Sequence, residues 1–280
     1  MTPLKLWNNT KLLVLNGMSR AKRQMMGQHV EALLVKSKNG LFLVDVEDQF
    51  VGRRLSYNGE FGWDELVRLR TAINEKSRVL VVGTHIGTLA IAASKHCSQL
   101  TAIEANPKTF RLLELNLLIN RCNNVRAINI AASDKAEQIE FVMSHANTGG
   151  SKRIPVKRDY AYFYDSPEIT SVPAEPLDEV LAGEKFDAIL MDIEGSEYFA
   201  LRGMQTLLAS AQVLFMEFVP HHLRNVSGVS VADLMASITP HFSQLFIPSK
   251  NLRVPKAEFV TALQRMHDNE ESDDGLEFSK

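Results

Sequence analysis

Two glycines and one carboxylate, placed where predicted strands end, are the first residues in this sequence that could do chemistry. Gly83 and Gly87 flank a short turn between a predicted strand and a predicted helix, and Glu104 ends the next strand. Glycine lets the backbone turn sharply and lets a ligand approach it closely. An acid about 20 residues after such a turn is typical of folds that hold a ribose. Together these residues favour a nucleoside cofactor over a plain turn with a helix-capping acid.

A second acidic group lies in the stretch Asp192–Glu197, which reads Asp-Ile-Glu-Gly-Ser-Glu. Asp192 ends a later predicted strand, so it faces the same carboxyl edge of the sheet as Gly83. A carboxylate there can orient an acceptor or take its proton. We therefore predict Asp192 and Glu194 as catalytic residues. Glu197 falls in the first turn of the next helix, where a capping role is the favoured interpretation.

The next predicted strand ends at Glu217 and is followed by two histidines. His221 is predicted as a catalytic base, since a histidine titrates near neutral pH. Glu217, His222 and Tyr162 are predicted to contact the acceptor. A solvent-exposed histidine pair is an equally open alternative. Asp192, Glu217 and His221 could together hold a divalent metal, but their spacing does not demand one, and no metal is predicted.

The elements that must position these residues alternate between strands and helices from residue 78 onward. Such an order predicts an α/β fold with a doubly wound, mostly parallel sheet. The predicted strands are Arg78–Val82, Leu100–Glu104, Val125–Ile130, Phe186–Asp192 and Gln212–Phe218. The predicted helices between them are Thr88–Lys95, a helix from Pro107 to about Asn120, and Glu197–Leu208.

Flanking and inserted segments divide the chain into three predicted parts. Residues 1–76 form an N-terminal extension with one or two short helices, a hairpin around Lys38-Asn39-Gly40 and a helix over Trp63–Ile73. Residues 77–267 form the catalytic domain, with an insertion at 134–176 folded as a hairpin or lid. Its last part carries a helix at Val231–Ser237, strands at Gln244–Ile247 and Leu252–Val254, and a helix from Lys256. Residues 268–280 are an acidic tail, expected to be frayed.

Composition excludes several classes of protein. The net charge of −2 over 280 residues offers no general attraction to nucleic acid or anionic membranes. No apolar run approaches the roughly 20 residues of a membrane helix, and no export signal is recognisable, so we expect a cytoplasmic protein. Basic and aromatic residues at 152–164 would fit single-stranded nucleic acid, but a lid with solvated charges is favoured. The expected partner is a small-molecule acceptor. An apolar stripe in residues 1–30 leaves self-association open.

Several of these motifs resemble the FkbM family of methyltransferases. The most specific match is Met191–Glu197, because Asp-x-Glu-Gly-x-Glu is the signature of that family. The resemblance covers about residues 40–220. Further matching positions are Val79–Gly87, Ala102–Pro107, Asn116, Asn120 and Ala131–Asp134, together with Gly59–Trp63, Glu65 and Pro176–Asp178.

The resemblance implies a class I methyltransferase (Rossmann-like) fold, with a mostly parallel seven-stranded sheet that ends in an antiparallel hairpin. It also implies S-adenosylmethionine as the methyl donor and usually a hydroxyl as the acceptor, here expected on a sugar or other small metabolite. Carried onto this sequence, the expected cofactor-binding residues are Gly83, Thr84, His85, Gly87, Glu104, Ala105, Ala132 and Asp192.

Two positions depart from the family pattern. Val81 stands where the family usually has Asp, and His85 where it usually has Asn. A protein that binds S-adenosylmethionine without turnover therefore stays an alternative, as does methylation of an amine or a carboxylate. A nicotinamide oxidoreductase is disfavoured, because His85 occupies the middle position of Gly-x-Gly-x-x-Gly and no third glycine follows in register.

Overall fold

The apolar runs and helical stretches of the sequence form a strand and helix series in the computed structural model, which describes the backbone of residues 3–280 and the side chains from Asn9 onward. The helices are α1 (Pro3–Met26), α2 (Val51–Asn58), α3 (Trp63–Ala72), α4 (Thr88–Ala93), α5 (Pro107–Ile119), α6 (Leu177–Val180), α7 (Glu197–Arg202), α8 (Gln205–Ser210), α9 (Pro220–His222), α10 (Val231–Ala236) and α11 (Phe259–Asp268). The strands are β1 (Ala32–Lys36), β2 (Leu41–Asp45), β3 (Arg78–Val82), β4 (Gln99–Ile103), β5 (Val125–Ile128), β6 (Ala131–Ala132), β7 (Glu137–Met143), β8 (Lys152–Arg153), β9 (Glu168–Glu175), β10 (Ala188–Met191), β11 (Val213–Phe218), β12 (Gln244–Ile247), β13 (Leu252–Pro255) and β14 (Asp273–Ser279).

The main sheet is mixed and, among the described residues, has eight strands in the order β13-β12-β14-β11-β10-β3-β4-β5. The five strands from β11 to β5 pair in parallel, and β14, β12 and β13 pair antiparallel. The expected α/β class is confirmed, but the expected count of seven strands is wrong. The strand that was not predicted is β14, which lies between β11 and β12.

Strand β3 lies at the point where the strand order reverses. The chain leaves β3 for β4 and β5 on one side and later returns to β10 on the other. In an open parallel sheet, the crevice beyond the carboxyl ends of two such strands is where ligands bind. Gly83 follows β3 and Asp192 follows β10, so the fold brings the two predicted motifs to one crevice.

Each face of the sheet is buried under its own layer of helices. In β3, Val79 and Val81 pack with α2 to α5 on one face, while Leu80 and Val82 pack with α6, α7, α8, α10 and α11 on the other. Each fully buried side chain of this size contributes about 1.5–3 kcal/mol. A slip of one residue would exchange the faces, so burial fixes the register that aligns the ends of β3 and β10.

The insertion at 134–176 is folded around a small sheet in the order β6-β9-β7-β8. Strand β7 pairs antiparallel with β9 on one side and with the short strand β8 on the other. Its apolar residues, among them Ile139, Phe141 and Val172, are buried against each other and against Ala131. The insertion is therefore an ordered wall beside the crevice.

The N-terminal segment forms a single helix, α1, of 24 residues rather than one or two short helices. Residues 1 and 2 of the predicted extension lie outside the described part of the chain. The expected hairpin is present as β1 and β2, and buried Asn39 ties it to the core by donating to the carbonyls of Phe61 and Thr88. Within residues 3–280, no helix has the length and apolar character needed to cross a bilayer.

The expectation of a frayed acidic tail is wrong, because Asp273–Ser279 is strand β14 inside the sheet, between β11 and β12. Leu276 and Phe278 are fully buried there. Their alternation with polar residues is the period of a strand, and it outweighs the acidic composition. Asp273 also accepts hydrogen bonds from the backbone of Ser249 and Gly275.

The predicted helix Glu197–Leu208 is divided into α7 and α8. The division falls at Gly203, where a Cβ would lie 1.9 Å from the carbonyl oxygen of Ser133. This close approach needs a glycine and breaks the helix. Apolar periodicity alone did not reveal it, because both halves bury the same face.

Candidate active site

A cavity of about 660 Å³ opens at the carboxyl ends of β3, β4, β10 and β11. This volume lies in the range of roughly 300–1,000 Å³ that small-molecule sites occupy. Of the residues predicted from sequence, nine line it: Gly83, Thr84, His85, Glu104, Ala105, Ala132, Asp192, Glu194 and Glu217. Gly87, His221, His222 and Tyr162 lie outside its wall.

The turn after β3 lies against the turn after β10. Gly83 has a φ of +86°, and a Cβ there would lie 1.7 Å from the backbone oxygen of Asp192. Only glycine fits this contact. The N–H groups of Gly83 and Thr84 donate to the carbonyl of Ile103, at 2.9 and 3.0 Å. These two N–H groups are already bonded within the protein. The turn therefore shapes the cavity wall and does not offer them to a ligand.

Glu104 is held in place by two backbone N–H groups. His85 N donates to Oε2 at 2.7 Å and Asn106 N donates to Oε1 at 2.8 Å. The side chain lines the cavity although the residue is only 8% exposed. Burial raises the pKa of Glu104 to about 7, against the lowering effect of these N–H groups. Each carboxylate oxygen keeps a lone pair for a further donor.

His85 connects three parts of the chain. Its Nε2 lies 2.8 Å from the hydroxyl of Thr148 in the insertion, and that hydroxyl donates to Asp48 at 3.0 Å. Since the hydroxyl proton goes to Asp48, the His85 ring carries its proton on Nε2. Burial lowers the pKa of His85 to about 4, so the ring is neutral near pH 7. His85, which stands where the family usually has Asn, thus links the turn after β3 to Thr148 of the insertion and, through it, to Asp48.

Asp192 belongs to the acidic end of the cavity. Its side chain is exposed and lines the cavity. No described residue donates a hydrogen bond to its carboxylate. Enclosure by the protein, followed by the charges of Glu194 and Glu65, raises the pKa of Asp192 well above its usual value. Burial also raises the pKa of Glu65, to about 7.

Glu194 has a φ of +56°, and its carboxylate contacts the insertion. Its Oε2 lies 2.7 Å from Nζ of Lys152, which is 5% exposed. The same ammonium is 3.2 Å from Nε2 of His222. Glu194 is therefore paired with a buried cation, whereas Asp192 is not.

Glu217, at the end of β11, faces the cavity and has 15% of its side chain exposed. Nδ1 of His222 lies 3.5 Å from Glu217 Oε2, which is longer than a hydrogen bond between these atoms. Burial, followed by the charge of Asp192, raises the pKa of Glu217 well above its usual value. His222 is 8% exposed, and burial lowers its pKa. The ring is neutral near pH 7.

The interpretation of Glu197 as a capping acid agrees with the structure. Its Oε1 accepts from the backbone N–H groups of Ile193 and Gly195 at 3.0 and 3.3 Å. Glu197 thereby fixes the turn that carries Asp192 and Glu194.

The remaining predicted residues surround the site. His221 is exposed and stacks on Tyr162 with ring centroids 6.1 Å apart. The Tyr162 hydroxyl donates to the carbonyl of His221. Gly87 starts α4 with a φ of +93°, and a Cβ there would meet Leu113 and Ile91. None of these residues lines the cavity.

One side of the cavity is formed by residues that were not predicted as site residues from the sequence. Arg68 on α3 and Asp273 to Gly275 on β14 line it, and Glu65 was noted only as a matching position. The alternating pattern of the last residues was the signal for β14. Lys152 was interpreted as a solvated charge of the lid, and its burial beside Glu194 had no signal in the sequence.

Comparison with known proteins identifies the family. The sequence profile of the Methyltransferase FkbM domain matches residues 82–239. The chain belongs to the FkbM methyltransferase family. The matched residues contain the Gly83 turn, Glu104, Asp192 and Glu217, which are the residues that shape both ends of the cavity. No curated protein sequence matches the chain.

Similar solved structures are distant. A methyltransferase FkbM from Methylobacillus flagellatus KT is 16% identical with a TM-score of 0.45, over 74% of this chain and 44% of that one. M. jannaschii TYW2 in complex with AdoMet is 17% identical with a TM-score of 0.40, over 68% and 64%. An rRNA methylase from Streptococcus thermophilus is 11% identical with a TM-score of 0.45, over 78% and 94%. The chain spans less than half the length of the first of these. At this distance none of them carries an argument about the acceptor.

Proposed function

We propose that this FkbM methyltransferase transfers a methyl group from S-adenosylmethionine to a hydroxyl of a sugar or other small metabolite. One observation carries the proposal. A single cavity joins the Gly83 turn and the Glu104 carboxylate at one end to the Asp192 and Glu217 carboxylates at the other. The first end suits a nucleoside, and the second suits proton removal.

The residues at the Glu104 end fit the nucleoside part of the cofactor. The carboxylate is oriented by His85 N and Asn106 N and faces the cavity, so its free lone pairs suit two ribose hydroxyls. Apolar side chains of Ile130 and Phe141 line the same end, as a purine base requires. Val81, the departure from the family pattern, packs in the core and also lines the cavity.

The residues at the other end fit the chemistry of transfer. S-adenosylmethionine supplies a methyl group on a positively charged sulfur. In the proposed reaction Asp192 takes the proton of the acceptor O–H as the new C–O bond forms and the C–S bond breaks, which leaves a neutral thioether. The raised pKa of Asp192 suits a group that must hold that proton. Holding donor and acceptor in line supplies the rest of the rate.

A second candidate is methylation of an amine. Glu65, Asp192, Glu217 and Asp274 line the cavity, and over its whole wall eight acidic residues face three arginines, a charge balance that favours a cationic acceptor. Tandem mass spectrometry of the methylated product separates the two, because the fragment ions show whether an oxygen or a nitrogen carries the added methyl group.

A thermal-shift titration tests the donor. S-adenosylmethionine and S-adenosylhomocysteine should both raise the melting temperature in a concentration-dependent way, and NAD should not. Stabilisation by NAD alone would contradict the proposal. Stabilisation by S-adenosylmethionine, with no transfer of labelled methyl to any acceptor in a pool of cell metabolites, would favour a binding protein without turnover.

The proposal also covers the size of the acceptor, the part of the chain that acts on it and the compartment in which the protein works. A net charge of −2 and an acidic wall support a small acceptor rather than a nucleic acid. We propose that the 77–267 region acts as the catalytic unit, that the insertion covers the bound acceptor, and that the protein works in the cytoplasm.

A further inference from the structure

The cluster of Glu194, Glu217 and His222, beside the acceptor end of the cavity, has the chemistry of a metal site. One ligand atom from each residue lies within 4.8 Å of those of the other two. The Glu217 and Glu194 carboxylates line the cavity, and His222 lies directly behind them. Carboxylates and a neutral imidazole are ligands that first-row divalent ions share.

An unsatisfied nitrogen points into this cluster. Nδ1 of His222 is buried and has no hydrogen-bond partner among the described residues. The whole residue is only 8% exposed. A buried polar atom without a partner costs about 1–3 kcal/mol. Such an atom therefore calls for an explanation, and a bound ion is one.

The distance between the two nearest groups also fits an ion. Nδ1 of His222 and Oε2 of Glu217 are 3.5 Å apart. A hydrogen bond between them would be about 2.7–3.2 Å long. Two ligand atoms bound to one ion at about 2.1 Å, with a tetrahedral angle between them, are about 3.4 Å apart. The observed 3.5 Å is too long for a hydrogen bond and agrees with two ligand atoms that share one ion.

Lys152 occupies the opposite side of the ring. Its ammonium is bound to Glu194 and lies near Nε2, so the Nδ1 side is left open. With an ion on Nδ1, the proton of the neutral ring sits on Nε2, and the Lys152 ammonium, which can only donate, directs its protons to Glu194 instead of the ring. Glu194 Oε2, 3.4 Å away, is the carboxylate oxygen nearest to the Nε2 proton. A carboxylate behind the second nitrogen commonly orients a metal-binding histidine.

We propose that Glu217 Oε2 and His222 Nδ1 bind a divalent first-row cation of the Zn²⁺ or Mn²⁺ class, with Glu194 nearest to the second ring nitrogen. The remaining positions of the ion face the cavity and accept water or an acceptor oxygen. The ion would hold that oxygen next to Asp192 and lower the pKa of its proton. This role rests on the proposed methyl transfer, whereas the binding of the ion does not.

Mn²⁺ binding to the full-length protein tests the site directly. Loss of the free-ion electron spin resonance signal on titration should show one saturable site per chain, with Zn²⁺ as a competitor. The electron spin echo of bound Mn²⁺ should carry a ¹⁴N coupling from His222. Glu217→Gln and His222→Asn should each weaken binding at least about tenfold, and His222→Asn should abolish the ¹⁴N coupling. Exposed Glu140→Gln is the matched control.

Wild-type protein that binds neither Mn²⁺ nor Zn²⁺ would overturn the proposal. So would variants that bind as the wild type does, because the ion would then lie elsewhere. Melting curves check that each variant folds. Glu217 lies on β11 and His222 on α9, so one variant can still test the site if the other does not fold. Titration of the same samples with S-adenosylhomocysteine separates this outcome from failure of the proposed function, since cofactor binding can persist without the ion.

Discussion

The two ends of the cavity hold their carboxylates in opposite ways. At one end, Glu104 accepts two backbone N–H groups and is fixed before any ligand arrives. At the other, Asp192 accepts no hydrogen bond from the described residues, and Glu217 is within 3.5 Å of a histidine nitrogen without bonding it. A positioned acid suits recognition, and an unsatisfied acid suits chemistry or a cation. Substitutions at the two ends should therefore change different measured quantities.

The largest effect is expected where the two ends meet, at Gly83→Ala. The strained φ alone costs about 1–3 kcal/mol, and the Cβ would also lie 1.7 Å from the oxygen of Asp192. Thermal unfolding should show severe loss of stability or no folded protein. Gly59→Ala is the control, because its φ is also positive while its Cβ meets no described atom within 4 Å. Equal losses in both variants would remove the argument for contact between the turns.

The next largest effect is expected at the acidic end. Asp192→Asn removes the proposed proton acceptor and should lower kcat by about 100–10,000-fold. The affinity for S-adenosylhomocysteine should change much less than turnover does, because that ligand lacks the positive charge on sulfur. Single-turnover kinetics and calorimetry measure the two quantities. An equal loss in both would make Asp192 a cofactor ligand and nothing more.

The pH dependence of stability should identify Glu104. Its pKa is about 7 in the folded protein and near 4.5 when unfolded, so the folded state holds an extra proton between these values. The free energy of unfolding should then fall as pH rises from 4.5 through 7, by up to about 3 kcal/mol from this group. Denaturant titrations at pH 5 and pH 8 should show a smaller fall for Glu104→Gln than for the wild type. If the free energy of unfolding falls equally in both proteins between pH 5 and pH 8, Glu104 is not the group responsible.

The smallest effect is expected at the link between the cofactor turn and the insertion. Thr148→Val keeps the shape of the side chain but removes the hydroxyl that joins His85 to Asp48. The free energy of unfolding should fall by about 1 kcal/mol. Exposed Thr71→Val should stay within about 0.5 kcal/mol of the wild type. If the two variants are equally stable, the link contributes nothing and the insertion is held by its apolar contacts.

The parts that could be predicted from sequence are those written in local patterns. Buried strands such as Arg78–Val82 read as apolar runs, and the acids at their ends had to share one edge of the sheet. Strand β14 was missed because acidic composition was given more weight than the alternation of Leu276 and Phe278. The pairing of Lys152 with Glu194 joins residues 42 apart in sequence. Such contacts depend on how the insertion packs, which no local pattern encodes.

Calorimetric titration with S-adenosylhomocysteine tests the central claim most directly, in wild type, Glu104→Gln and Glu217→Gln at pH 8. The wild type should bind one ligand per chain. Glu104→Gln should bind about 10–100-fold more weakly, the equivalent of losing hydrogen bonds to a charged group, and Glu217→Gln should bind as the wild type does. No binding to the wild type, or an equal loss in both variants, would contradict the assignment of the Glu104 end to the cofactor and the Glu217 end to the acceptor.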